Sequence, residues 1–169
     1  MHVEAVLEPA ALVRRWHELS RNPDTPDHYE LNEYGEMIMA PRPTNDHQRV
    51  LSAVVVALNA QLGPESAAEV SVLTDRGIRV PDVVWMPESR WAQLKGKTPL
   101  PLVPDVCVEV LSPGNTQESI AMKTAAYLRG GAREVIVIGL GGEVDFFDTE
   151  GKRATSALGI RLDLPATLF

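Results

Sequence analysis

Apolar positions recur along this chain at two spacings, helical and alternating, and a few continuous runs fill the rest. Leu12, Val13, Trp16 and Leu19 follow Pro9 at helical spacing and predict a first helix over about residues 9–20. Asn22-Pro23-Asp24-Thr25-Pro26 is a loop. Tyr29–Asn32 and Glu36–Ala40 read as two short strands about the Glu33-Tyr34-Gly35 turn, and Pro41-Arg42-Pro43 ends the second. Val50, Val54, Leu58 and Leu62, joined by Leu51 and Val55, stripe a long helix over about residues 46–62. Thr44, Asn45 or Asp46 caps it, and Gly63-Pro64 stops it.

Three strands follow, at 69–74, 78–86 and 103–111, with a polar and mobile excursion, Pro87–Pro101, between the last two. Asn115 and Glu118 have capping-box spacing before a helix that runs to Leu128 and ends at Gly130-Gly131. Glu134–Leu140 is an apolar run of strand length, forming a hairpin with Val144–Asp148. The tail from Thr155 to Phe169 carries a short apolar strand or edge around Leu158–Leu164. This order predicts a single α/β domain over residues 1–169: a central mixed sheet flanked by helices, after an N-terminal helix and β-hairpin. Strands 103–111 and 134–140, bridged by a helix, fit a parallel crossover.

Three charged residues interrupt this apolar pattern. Asp82 shares a strand face with Ile78, Val80, Val84 and Met86; Glu109 lies near the end of a run apolar on both faces; Lys123 lies on the helix face of Ile120 and Tyr127. Charges are rarely buried unless paired or bound to a metal. Two carboxylates and an ammonium converging from two strands and a helix suggest a metal-dependent hydrolytic site. Magnesium takes one or two carboxylates and keeps several waters, so Asp82, Glu109 and the Val110 carbonyl are candidate ligands for Mg²⁺ or Mn²⁺. Lys123 would offset developing negative charge. His47 faces inward at the start of the long helix, three and four residues before Val50 and Leu51.

Each of these residues has an ordinary reading as well. Asp82 could be a hydrogen-bonded strand-end acid, Lys123 a lysine snorkelling to solvent, and His47 a satisfied core histidine. Asp105 lies four residues before Glu109, ~13 Å along an extended strand, too far to share one metal with it; it reads as a strand-entry acid. Ser112 lacks a nucleophile elbow, and no Cys/His cluster has zinc spacing.

Composition narrows the classes. With 44% hydrophobic and 23% charged residues the chain is globular. Its single cysteine, Cys107, reads as a buried thiol in a reducing, cytoplasmic setting. Glu4 and Glu8, with no long apolar stretch, argue against a signal peptide, and no segment is apolar enough for a membrane span. The formal net charge of −7 opposes long-range affinity for nucleic acid, yet suits carboxylates that await a divalent cation. Arg42, Arg49, Arg76, Arg79, Arg90, Lys95, Lys97, Arg129 and Arg133 flank the segments around the candidate site.

The ordered set Gly35-Glu36, His47, Pro81-Asp82, Glu109-Val110-Leu111-Ser112-Pro113, Lys123, Tyr127, Gly131 and the strand from Glu134 resembles the Uma2 family over about residues 8–169. Those are restriction-type endonucleases with the PD-(D/E)xK nuclease fold. The resemblance implies a restriction-endonuclease-like core in which Asp82 and Glu109 are the motif acids. The general motif puts a lysine where this chain has Leu111, and Lys123 on the next helix takes that place. The resemblance also implies a supporting acid at Glu36, which could orient water, and a site histidine at His47. The implied activity is hydrolysis of nucleic acid, DNA foremost, to products with a 5′-phosphate and a 3′-hydroxyl. A homodimer is expected if both strands are cut, with the apolar tail either its interface or a closure of the core. Leu111 and the acidic charge also fit a nuclease fold that binds or assembles without catalysis, and a phosphoesterase of small substrates is a third reading.

Overall fold

A computed structural model describes residues 5–169, so Glu4 lies outside the described residues. The elements, in chain order, are α1 (Pro9–Arg21), β1 (Tyr29–Leu31), β2 (Met37–Met39), α2 (Asn45–Leu62), β3 (Ser66–Ala68), β4 (Val72–Thr74), β5 (Gly77–Arg79), β6 (Val83–Trp85), α3 (Glu88–Gln93), β7 (Val106–Val110), α4 (Gln117–Arg129), β8 (Glu134–Ile138), β9 (Val144–Asp148) and β10 (Gly151–Arg153), with a 3₁₀ turn at Ala166–Leu168. They form two sheets rather than one, with strand orders β2-β1-β5-β4 and β10-β9-β8-β7-β6-β3. In the larger sheet β7 and β8 run parallel, as expected for the crossover through α4, and the remaining neighbours are antiparallel.

The predicted strand 78–86 is two strands in different sheets, because Val80-Pro81-Asp82 interrupts it. Proline has no N–H to give to a ladder, so pairing stops there and the chain passes from the smaller sheet to the larger. The partner segment breaks in step. Predicted as a strand over 69–74, it forms only β4, while β3 just before it, which the pattern does not predict, joins the larger sheet; Glu69, whose φ of 53° is left-handed, lies between them. The Glu69 N–H donates to the Asp82 carbonyl at 3.0 Å, tying the two crossings together. Asp82 therefore stands at the joint between the sheets.

Burial explains the continuous apolar runs. Val106, Val108 and Val110 of β7 and Ile136 and Ile138 of β8 pack with Val50, Leu51, Val54 and Leu58 of α2. Cys107, Val135 and Val137 point to the other face, with Tyr127 of α4. A sheet covered on both faces has no polar alternation to show. Leu12 and Leu19 of α1 cover the smaller sheet through Tyr29, Leu31 and Ile78.

Three local expectations need correction. Pro87–Pro101 is not a mobile excursion: it contains α3, and buried Leu100 exchanges backbone hydrogen bonds with Ser71 and Leu73 at 2.8 and 2.9 Å. The α4 cap is Thr116, whose hydroxyl accepts from the Ser119 N–H at 3.1 Å, rather than Asn115. The tail forms no strand. Ile160 is buried in the α2-side core with Leu158, Leu162, Leu164 and Leu168 packed against it. Gln61 brackets the Arg161 backbone at 2.7 and 2.8 Å, and buried Glu134 accepts from Ser156 Oγ and Ala157 N, both at 2.6 Å. These apolar side chains close the core, so the expected homodimer finds no support in them. Among the described residues no helix is long and apolar enough to cross a membrane.

Candidate active site

Register brings Asp82 and Glu109 together. Val83 pairs with Val108 in the antiparallel β6–β7 ladder, so one step beyond it Asp82 faces Glu109. Side chains opposite one another in such a ladder share a sheet face, and here that is the α4 face. Asp82 Oδ2 accepts the Val110 N–H at 2.6 Å, which fixes its carboxylate over the end of β7. Glu109 is 4% exposed, and Tyr127 donates its phenol to Glu109 Oε1 at 2.7 Å. Lys123 comes from one turn earlier on α4, with Nζ 3.0 Å from Glu109 Oε1 and 3.1 Å from Oε2. The lysine on the apolar helix face is thus buried and paired and does not snorkel to solvent.

A third acid, absent from the sequence reading, completes this cluster. Glu30 of β1 lies 3.0 Å from Lys123 Nζ through Oε1, which also accepts the Val80 N–H at 2.8 Å. Its Oε2 accepts from Arg79 at 3.2 Å, and Arg79 is itself buried. Glu30 sits between buried Tyr29 and Leu31, and alternation assigns it to a solvent-facing side of a hairpin. Only the second sheet, folded against α4, gives that side a partner. Glu36 lies outside this cluster: it is exposed after the hairpin turn, bound to Asn32 at 2.5 Å, and does not line the cleft. Glu30 is the acid of the hairpin that meets Lys123.

His47 lies at the first turn of α2, where Thr44 caps the helix by accepting the His47 N–H at 3.2 Å. The same turn aims the imidazole at the end of β7. Its Nε2 lies 3.2 Å from the Val110 carbonyl oxygen and 3.6 Å from Asp82 Oδ2, while its buried Nδ1 has no partner. Asp105 is apart from this group, paired with Arg90 at 2.5 Å.

Burial raises the Glu109 carboxyl to about 7; Asp82 and Glu30 push the same way, against Lys123 and the Tyr127 hydrogen bond. Burial would lower the Lys123 ammonium, but Glu109 and Glu30 outweigh it and hold the pKa above the ordinary lysine value. Lys123 is therefore the fixed cation, and Glu109 the group that gains or loses a proton near neutrality. The Asp82 carboxylate raises His47, against the effect of burial. Burial raises Tyr127 far enough to keep it a neutral donor, and it also raises Cys107, leaving an inert thiol.

The donors suit a hard divalent cation. Asp82 Oδ1, the remaining lone pairs of Glu109 and the second lone pair of the Val110 carbonyl offer only oxygen. Among the described residues no three His, Cys, Asp or Glu side chains gather in an arrangement that could hold a metal ion. Two carboxylates with water completing the shell is the magnesium pattern. The site opens into a cleft of about 1300 Å³ between the β1–β2 hairpin, α1, the start of α2 and the β7–α4 turn.

A family model described as "Uma2: Putative restriction endonuclease" matches residues 15–155. The fold is similar to that of a crystal structure described as a putative nuclease belonging to DUF820 from Anabaena variabilis ATCC 29413. The TM-score is 0.62 at 20% identity, over 89% of this chain and 94% of that one. At that identity the likeness is one of fold. No curated protein matches the sequence.

Proposed function

The chain belongs to the Uma2 family of restriction-endonuclease-type proteins, and on that premise we propose that it is a Mg²⁺- or Mn²⁺-dependent endonuclease with a PD-(D/E)xK-like core. The observation that carries this reading is the meeting of Asp82 and Glu109 across one ladder, with Lys123 on Glu109 and the Val110 backbone on Asp82. Asp82, Glu109 and the Val110 carbonyl would hold the ion. When bound, such an ion supplies Lewis acidity at the phosphoryl group and a more acidic water.

The chain's own residues do the rest. The Val110 N–H anchors one oxygen of Asp82, and Tyr127 with Lys123 fixes Glu109, so both acids are oriented before substrate arrives. Glu30 sets the position of Lys123, which offsets negative charge as it builds on the phosphorane oxygens. His47, raised by the Asp82 carboxylate and held at the Val110 carbonyl, would add positive charge on the α2 side when it is protonated. Water attacks phosphorus in line and gives up a proton to solvent, the P–O3′ bond breaks, and the 3′ oxygen takes a proton from solvent water. The products are a 5′-phosphate and a 3′-hydroxyl.

Supercoiled plasmid incubated with Mn²⁺ tests this. The expected result is nicking by the wild type, lost in Glu109→Ala and abolished by chelator; cleavage that persists in Glu109→Ala overturns it. Leu111 at the usual lysine position and the existing bonds of Glu109 to Lys123 and Tyr127 favour a second reading, a non-catalytic binding module. That reading predicts neither metal binding nor nicking.

A further inference from the structure

Among the described residues the two sheets end on β2, β4, β10 and β3, and three of these edges are closed. β10 carries Lys152 and Arg153, and charge on an edge resists pairing with another chain. β4 is covered where the Leu100 backbone bonds to Ser71 and Leu73. At β3, Asn59 accepts the Ser66 N–H at 3.0 Å and Trp91 donates to the Glu65 carbonyl at 2.9 Å. β2 has neither charge nor cover, and its Ile38 and Met39 are 38% and 59% exposed.

Register shows which backbone groups of β2 are unused. The Asn32 N–H donates to the Glu36 carbonyl at 3.0 Å and the Ala40 N–H to the His28 carbonyl at 3.2 Å. Facing residues of an antiparallel ladder alternate between bonded and non-bonded pairs. Glu30 and Ile38, midway between those two pairs, are therefore bonded to each other, and the N–H and C=O groups of Met37 and Met39 point away from β1. Nothing among the described residues takes them up.

One symmetric register with a second copy of β2 uses all of them. Centred on Ile38, two antiparallel β2 strands set Met37 of each copy against Met39 of the other, and both pairs exchange their bonds. Centred on Met39, the same pairing sets Met37 against Pro41, which has no N–H. Centred on Met37, it sets Met39 against Gly35, whose φ of +79° belongs to a turn. The Ile38 register also brings opposite charges together. Arg42 has no ion pair among the described residues, and it falls diagonal to exposed Glu36 of the second copy, within reach of long side chains. The two-fold makes that pair twice.

We propose that two copies of this chain associate edge to edge through β2, antiparallel about a two-fold at Ile38, joining their four-stranded sheets into one. The axis stands perpendicular to the sheet, so both Glu30 side chains face the same side, their backbones three strand spacings, ~14 Å, apart. The interface stands on backbone geometry and is independent of the nuclease reading. β2 is three residues long, so the dimer is of the small, weak class that forms at high concentration.

Ile38→Cys tests the register, because Cys107, the chain's single cysteine, is buried. Facing Cα atoms of a non-bonded antiparallel pair lie ~4.5 Å apart, within disulfide range. Copper-phenanthroline oxidation should convert most of Ile38→Cys to a covalent dimer and leave Met39→Cys, which would face Met37, uncrosslinked. Sedimentation of the wild type from about 1 to about 300 µM should show monomer passing to dimer. Met39→Pro removes an outward N–H and spares the β1 ladder, so it should fold by circular dichroism and sediment as a monomer throughout. A wild type that stays monomeric, a dimer that survives in folded Met39→Pro, or equal crosslinking of the two cysteine variants overturns the proposal. Should Met39→Pro fail to fold, the cysteine pair decides alone.

Discussion

Replacing Glu109 by glutamine preserves its shape and its bond from Tyr127 while removing the charge. In the metal-free protein burial lifts this carboxyl from an ordinary 4.5 to about 7. An acid with a raised folded pKa holds its proton more tightly when folded than when unfolded. Its contribution is therefore fully present below about pH 4.5 and is lost as pH rises through about 7. The gap corresponds to roughly 3 kcal/mol. Glutamine has no such loss. In the presence of chelator, the stability difference between variant and wild type should shift in the variant's favour by about 3 kcal/mol between about pH 4 and pH 9. That is a relative rise in melting temperature of roughly 6–12 °C for a chain of this size. The raised His47 acts in both proteins and cancels, and Lys123 titrates above this window. Urea and thermal unfolding followed by circular dichroism across the range would measure it. A difference that stays flat with pH, or moves towards the wild type, refutes the assignment of Glu109 as the strained acid.

Other perturbations follow from the same contacts. Lys123→Met removes the shared cation from Glu30 and Glu109 and should cost about 3–5 kcal/mol in urea unfolding at neutral pH; adding Glu30→Gln should not recover it, because Arg79 then loses its carboxylate. Glu36→Gln should change stability by less than about 0.5 kcal/mol and leave any nicking rate intact, whereas Glu30→Gln should lower both. Gly77→Ala should destabilise by more than about 1 kcal/mol, since φ is +96° and the new Cβ would lie 2.1 Å from the Leu31 carbonyl oxygen; loss of the β1–β5 pairing would register in amide exchange.

The chain's helices are legible because their stripes and stops are local: Val50, Val54 and Leu58 against Gly63, or Pro9 opening α1. Asp82, Glu109 and Lys123 are legible for the opposite reason, as charges that contradict the apolar pattern around them. What escapes a linear reading is the division into two sheets. Pro81 reads as a residue within a strand until β3 and β4 are seen to break beside it at Glu69. Glu30 escapes for the same reason: its burial comes from an element 93 positions away at Lys123, and no spacing within Tyr29-Glu30-Leu31 records that. Glu36 stands near the same hairpin and has the right chemistry, but the turn points it at Asn32.

The central claim is that Asp82 and Glu109 wait for a divalent cation, and calorimetric titration of Mn²⁺ into wild type and Asp82→Ala at two pH values addresses it most directly. With Glu109 near half-protonated at about pH 7, binding should release a proton and tighten as pH rises. The account predicts one site in the wild type with that pH dependence, and none in a folded Asp82→Ala. No binding by the wild type, or equal binding by the variant, would contradict it.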